Sequence, residues 1–382
     1  MSDFAQIDQV LSTLRHGQTC LMLNENSVGG ITGFVVVGAE HCEADHITFM
    51  ARQARGLVCL AMTPARCTEL ELPLMVEGDD SQSPFTLSIE AATGIDTGIS
   101  AADRARTVRV AVDSTSRAAD LVQPGHIFPI VASAGGVLNR TAPAEAAIDL
   151  ATLAGLIPAA VFTEVLDNDG ALADGSFLEE FANRHQLVAG RVSDLVTYRL
   201  TNQKTIELVR QSMMQTRYGE FEVFAYRDMI QGRVHLALKR GSFSATEPTL
   251  VRVHVTAVLR DLVGTSLDDL PSWSFAASLK AIADAESGVL VLLSKSETAD
   301  DLLGDIDRLM GQTQVDPQPS ADGYNQIGMG AQILRDLGVG QIRLMGAPLK
   351  YNALAGFGLE VIDFLAPENT SDKLKDTTGH DR

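Results

Sequence analysis

Apolar residues recur at helical spacing over residues 4–16, where Phe4, Ile7, Val10, Leu11 and Leu14 fall on one face, so the chain is predicted to open with a helix. A short apolar run at 19–23 is followed by the turn-rich loop NENSVGG. Residues 34–37 form a second β-branched run. Residues 46–54 read as a helix ending near Gly56, and 57–62 (LVCLAM) as a buried strand. Thr63 and Pro64 have the chemistry of an N-cap and first helical position. Residues 101–112 form a helix capped by Ser100, with Asp103 at its third position. A helix at 144–154, a strand at 159–165 and a helix at 175–185 complete an alternating order, which predicts an α/β or mixed α+β fold.

The pattern changes near residues 198–199. Residues 201–211 read as a connecting helix or strand. Then TRYGEFEVFAYRD, GRVHLALKRG and PTLVRVHVTAVLRD show period-2 and apolar runs broken by Gly and Pro, as in a sheet. Residues 288–293 form a buried strand. The polar stretch 311–325, with Pro317 and Pro319, reads as a mobile loop. Residues 329–338 form a helix ended by Gly338, and the tail from Pro367 is expected to be disordered. The predicted organisation is two-domain: 1–200, 210–366, and a flexible tail at 367–382.

Composition narrows the function classes. The 382 residues suit two domains, and 45% hydrophobic with 21% charged residues is ordinary for a globular protein. A net charge of −19 disfavours nucleic acid and anionic membrane as partners. A bound phosphate would therefore need a local Arg or Lys cluster. The four cysteines, Cys20, Cys42, Cys59 and Cys67, form no CxxC pair, which argues against a disulfide framework and a cysteine zinc site. The N-terminus lacks a signal-peptide pattern and no apolar run approaches a membrane span, so a cytoplasmic location is expected.

Two segments carry the most specific signal: TGISAADRARTV at 97–108 and QPGHIFP at 123–129. With FMARQARGLVCLAMT at 49–63, GGVLNRTAPAEAAIDLATLAGL at 135–156 and TEVLDNDGALA at 163–173, they resemble the 3,4-dihydroxy-2-butanone 4-phosphate synthase family over about residues 5–200. The resemblance implies a synthase-like mixed sheet with helices, a homodimer with a shared site, and magnesium-dependent conversion of ribulose 5-phosphate to formate and a four-carbon ketone phosphate. It also implies substrate-facing roles for His126 and Glu164. Thr97, Ser100 and Arg140 match phosphate-binding positions, Asp103 and Arg104 match the motif beside them, and Cys59 lies near the family's site.

Two family motifs differ here. The acidic loop D-E-D-R-E-N-E-G-D reads Asn24-Glu25-Asn26-Ser27-Val28-Gly29-Gly30 in this chain, which leaves Glu25 as its one carboxylate. The metal-binding histidine of G-H-T-E-A is replaced in Ala142-Pro143-Ala144-Glu145-Ala146 by Pro143, which has no lone pair for a metal.

The second domain resembles GTP cyclohydrolase II in residues 218–241, 250–254 and 328–365. Ala257 stands where that family's first zinc cysteine belongs, LVGTSLDDLP replaces its CxC pair, and LSKSETADDL replaces its catalytic R-Q-E-G-R-G-I-G-L. Gly346-Ala347-Pro348 replaces its N-N-P loop. With His235 and His254 the only histidines of this second domain before the tail, neither zinc nor cyclohydrolase activity is expected.

These readings predict a divergent synthase relative that binds a phosphorylated small molecule through Thr97, Ser100, Asp103, Arg104, Arg140 and Cys59. His126, Glu164 and Glu25 are the candidate catalytic groups, no cofactor is expected, and the standard reaction is expected to be lost. A silent binding or regulatory relative is one competing reading. An active synthase, in which Glu25 still holds magnesium, is another.

Overall fold

The structure is a computed structural model describing residues 4–25, 30–76, 84–265, 273–285, 287–294, 299–310, 321–346 and 352–366. The tail 367–382, the loop core 26–29, Ala347 and Pro348, and most of LVGTSLDDLP lie outside the described residues. The chain divides into two compact units at Arg199/Leu200, each built on a seven-stranded mixed sheet.

The first unit runs α1 (Phe4–Arg15), β1 (Cys20–Glu25), β2 (Ile31–Gly38), α2 (Ala44–Phe49), β3 (Cys59–Met62), α3 (Pro64–Glu69), β4 (Ile89–Ala91), α4 (Ala101–Val112), β5 (Leu121–Val131), α5 (Pro143–Leu153), β6 (Ala159–Glu164), α6 (Gly175–His185), β7 (Val188–Arg191) and α7 (Val192–Asn202). Its strand order is β4-β5-β3-β6-β2-β1-β7. Only β3–β5 and β1–β7 are parallel.

Because side chains alternate along a strand, register assigns each residue to a face. One face carries Leu21, Val35, Val37, Val161, Leu60 and Ile127, in a core shared with Ile47 of α2, Ala105 and Val108 of α4, and Leu178 and Phe181 of α6. The opposite face carries two rows in lateral register, Met22–Phe34–Glu164 and Val36–Phe162–Cys59–Phe128. Helix α5 packs against β2, β3 and β6, and α1 against α5 and β7.

The predicted caps form. Ser100 Oγ accepts from the Asp103 amide at 3.1 Å, and Thr63 Oγ1 from the Arg66 amide at 3.2 Å. One expectation in this unit is corrected: Pro124-Gly125 lies within the 11-residue β5 rather than before it, at an irregularity where the pairing with β4 jumps from Ile127 to Val122. The helix expected at 46–54 forms, as α2 running on into a π-helical turn, Met50–Ala54, that ends at Arg55.

The second unit contains β8 (Ile206–Thr216), β9 (Gly219–Asp228), β10 (Val234–Arg240), β11 (Thr249–Val255), α8 (Phe275–Asp284), β12 (Gly288–Leu293), α9 (Ala299–Leu309), α10 (Ala321–Asp336), β13 (Gln341–Met345) and β14 (Glu360–Leu365). Its order is β14-β13-β11-β12-β10-β9-β8, parallel from β14 to β12 and antiparallel beyond. The connector expected at 201–211 resolves into the end of α7 and the start of β8. The expected loop 311–325 is overturned at its C-terminal end, where α10 already begins at Ala321. Gly338 does follow that helix with φ +82°, the left-handed conformation glycine adopts freely.

Candidate active site

The site assembles where the Phe34–Phe162–Cys59–Phe128 face reaches one end of the first sheet. Cys59 pairs with Phe128 on β5 and Phe162 on β6. His126 lies two residues before Phe128 and Glu164 two residues after Phe162, so both share the Cys59 face. Continuing the Cys59–Phe128 and Cys59–Phe162 pairings by two residues puts both level with Leu57, which stands between them, so the two backbones are two strand spacings or about 10 Å apart. His126 is exposed, Glu164 reaches solvent, and Cys59 is buried on the same face two residues further along β3, level with Phe128 and Phe162.

Electrostatics separate the three groups. Partial burial raises the Glu164 carboxyl above its usual range. Burial, with the Glu164 charge adding to it, pushes the Cys59 thiol up to about 12. Cys59 is therefore a neutral thiol at physiological pH rather than a nucleophile. His126 Nδ1 is hydrogen-bonded to Glu90 Oε1, from β4.

The 97–108 segment adjoins this row through Glu90, whose carboxylate sits against Gly98. Thr97 and Ser100 are exposed, Gly98 is buried, and Asp103 is 9% exposed. Asp103 Oδ2 accepts from the Gly98 amide at 3.1 Å, and Oδ1 from the Asp96 amide at 3.4 Å. Desolvation pushes the Asp103 carboxyl up, but Ser100 and the amides of Asp96, Gly98 and Thr97 outweigh it and hold it below its ordinary range. Asp103 thus shapes the loop. Arg104 is half-buried, burial lowers its pKa, and its Nε has no partner among the described residues.

Two predicted residues stand elsewhere. Arg140 grips Glu145, with Nη2 and Nε at 2.6 and 3.0 Å from Oε1. Glu145 has no exposure, and the same oxygen accepts from the Ser133 amide at 2.8 Å. Arg140 is therefore a structural ion-pair partner in this arrangement. Glu25 lies three residues past Met22, so it faces away from the His126 row, and it is bound by Arg191 at 2.5 Å. Asn24, on the His126 face, donates to Thr141 O at 3.5 Å and ties the 139–142 loop to the end of β1.

The described residues do not assemble a magnesium site. Glu25 is turned away and paired, Pro143 offers no lone pair, and no three His, Cys, Asp or Glu side chains converge among the described residues.

Sequence reading missed Glu90 and Glu145. The signal for Glu90 was a carboxylate between two apolar strand positions, Ile89 and Ala91. For Glu145 it was a glutamate amid seven other buried positions of α5.

Residues 8–198 match the family described as 3,4-dihydroxy-2-butanone 4-phosphate synthase, and residues 207–366 match GTP cyclohydrolase II. The chain is 43% identical to a Pseudomonas aeruginosa protein named 3,4-dihydroxy-2-butanone 4-phosphate synthase, over 95% of this chain and 99% of that protein. A Neisseria meningitidis protein of the same name is 40% identical over 95% of this chain and 99% of its own. A Synechocystis riboflavin biosynthesis protein RibBA is 36% identical over 94% of this chain and 67% of its length. Among solved structures, RibBX, a two-domain 3,4-dihydroxy-2-butanone 4-phosphate synthase from A. baumannii, superposes with a TM-score of 0.81 at 38% identity, covering 94% of this chain and 99% of that one.

These matches overturn the expectation of a relative that has lost the standard reaction. That expectation rested on two short motifs, at 24–30 and 142–146, whereas the similarity to named synthases runs nearly end to end. The chain belongs to the 3,4-dihydroxy-2-butanone 4-phosphate synthase family, in the two-domain form whose second half matches GTP cyclohydrolase II.

Proposed function

We propose that the chain is a lyase of riboflavin biosynthesis that converts ribulose 5-phosphate to 3,4-dihydroxy-2-butanone 4-phosphate and formate. The observation carrying this reading is the 43% identity to a named synthase across 95% of the chain. The His126–Cys59–Glu164 face gives it a physical basis. Enolising a ketose needs a group that takes a proton from the carbon beside the carbonyl and a group that returns one. His126 and Glu164 stand about 10 Å apart at the backbone, a span we assign to a small polyol. Burial raises the Glu164 carboxyl, which moves it in the direction a proton-exchanging group needs. The neutral Cys59 thiol lies behind His126 and Glu164 on the same face, level with Phe128 and Phe162. Thr97 and Arg104 are the groups we assign to the phosphate; the Ser100 hydroxyl is already engaged in capping Asp103.

The working form is a homodimer through the first unit. The second unit holds no thiol, since the chain has no cysteine beyond residue 67, and we assign it neither zinc nor cyclohydrolase chemistry. The test is incubation of the whole chain with ribulose 5-phosphate and magnesium while formate is followed. Formate and the four-carbon phosphate in equal amounts are expected. Substrate that stays intact at micromolar enzyme would refute the assignment.

A further inference from the structure

The geometry points to Arg55 as the positioning residue for Glu164. The inference deepens the synthase reading and rests on its placing of Glu164 at the substrate. No described residue hydrogen-bonds the Glu164 carboxylate, so its backbone sets where it stands. On one side that backbone pairs with Phe34 of β2. On the other it meets residues 54–57, where the ladder is irregular. Cys59 pairs with Phe162, and that register continued would set Val165 opposite Gly56. Val165 instead bridges to Arg55, and the Leu166 amide donates to Ala54 O at 2.9 Å. One extra residue has entered before β3. The result is a bulge beside Glu164, and bulges re-aim the side chains next to them.

Arg55 forms that bulge. It closes the π-helical turn Met50–Ala54, its amide donating to Met50 O at 2.8 Å. Its φ of +69° and ψ of −4° lie in the left-handed region, which side chains enter at a cost. Beside it, a Cβ on Gly56 would stand 2.2 Å from Glu164 O, so the two backbones touch only because that position is glycine. Glycine at 55 would also take its turn without strain. What the arginine supplies is reach. Its Nη1 donates to Asp167 O at 2.9 Å and to Asn168 Oδ1 at 3.1 Å. The loop it holds is already closed. The Asp167 amide donates to Ala171 O at 2.8 Å, and Asp167 Oδ1 accepts from the Asp169 and Ala171 amides at 2.9 Å each. Glu164 is thus fixed from both ends, through Phe34 across the sheet and through Arg55 along the chain. Arg55 is exposed, and hydrogen bonds made there contribute little to folding. The carboxylate it steadies accounts for a strained arginine in that place.

The test compares Arg55→Gly and Arg55→Lys with the unaltered full chain. Arg55→Gly relieves the backbone and removes the clamp, so its melting temperature should stay within about 3 °C of the unaltered protein. With ribulose 5-phosphate its kcat should fall about 10-fold with KM within about twofold. Lysine, whose ammonium can bridge the same two oxygens, should recover most of the rate. In a Glu164→Gln background, Arg55→Gly should slow the reaction no further. An unchanged kcat in Arg55→Gly, or additive losses in the double variant, overturns the inference. A carboxyl ¹³C titration, assigned through Glu164→Gln, reads the same placement without turnover. The raised Glu164 value should relax toward that of an ordinary glutamate in Arg55→Gly and stay raised in Arg55→Lys, and an unmoved value in Arg55→Gly overturns the inference. If the unaltered chain releases no formate, the synthase reading fails and this titration alone decides the role of Arg55. If Arg55→Gly does not fold, Asn168→Ala removes one of the two acceptors and takes its place; a smaller relaxation in the same direction is then expected, and none overturns the inference.

Discussion

Both units are built on a seven-stranded sheet, but they spend polar side chains differently. In the second unit those groups close on one another. Gln332 reaches the Leu200 and Gln203 carbonyls at 2.7 and 3.0 Å and accepts from the Thr205 amide at 2.9 Å. Tyr226 donates to Asp336 at 2.9 Å, which also binds Lys204 at 2.7 Å. His254, with no side-chain exposure, meets Asp261 at 2.9 Å. Burial lowers the His254 pKa despite that partner, and Asp261 is held well below the carboxylate range by Arg260, Ala257, His254 and Phe275, which outweigh desolvation. In the first unit His126, Glu164, Thr97 and Ser100 instead reach solvent from one sheet end, backed by inner carboxylates. Inward networks specify a scaffold, whereas polar groups braced from behind and open in front meet a ligand.

The largest effect we predict is Arg140→Ala, which leaves the fully buried Glu145 without its counterion. It should cost about 3–5 kcal/mol in urea unfolding. A rise in KM with unchanged stability would instead return Arg140 to the phosphate and move the boundary between scaffold and site. Glu164→Gln should lower kcat by about 100-fold. It should also make the protein more stable at neutral pH. A carboxyl raised on folding contributes stability below its unfolded pKa and loses it as pH rises through the folded value. The gain should vanish below the ordinary glutamate range, and a gain that grows on acidification would contradict the raised carboxyl. Ser100→Ala removes a helix cap and should cost about 1 kcal/mol, read from the same unfolding curves. The smallest expected effect is on the second unit's metal content: EDTA should leave its melting unchanged, and a drop of several degrees would mark a metal overlooked there.

What the sequence showed follows the reach of each signal. Local chemistry read true where it was self-contained: the Ser100 and Thr63 caps, the helix Gly175–His185 and the strand Gly288–Leu293 all formed as spaced. Pro124-Gly125 sits inside β5 rather than ahead of it, in a stretch where the pairing with β4 jumps from Ile127 to Val122, so the local turn signal was absorbed as an irregularity of one long strand. Grouping His126, Cys59 and Glu164 needed only family resemblance, but their alignment on one face depends on pairings among β3, β5 and β6 that no local pattern contains. Glu25 and Arg140 failed to join them for a related reason. The partners that hold them, Arg191 and the buried Glu145, are matters of tertiary packing.

The most direct measurement sets formate release from ribulose 5-phosphate side by side for the unaltered chain, His126→Ala and Tyr226→Phe. The account predicts that His126→Ala is slower by about 100-fold or more while keeping its fold. Tyr226→Phe should lose about 1 kcal/mol of stability with its rate within about threefold of the unaltered chain. Equal rates for the unaltered chain and His126→Ala, or a rate lost with Tyr226→Phe alone, would contradict the placing of the chemistry on the first sheet.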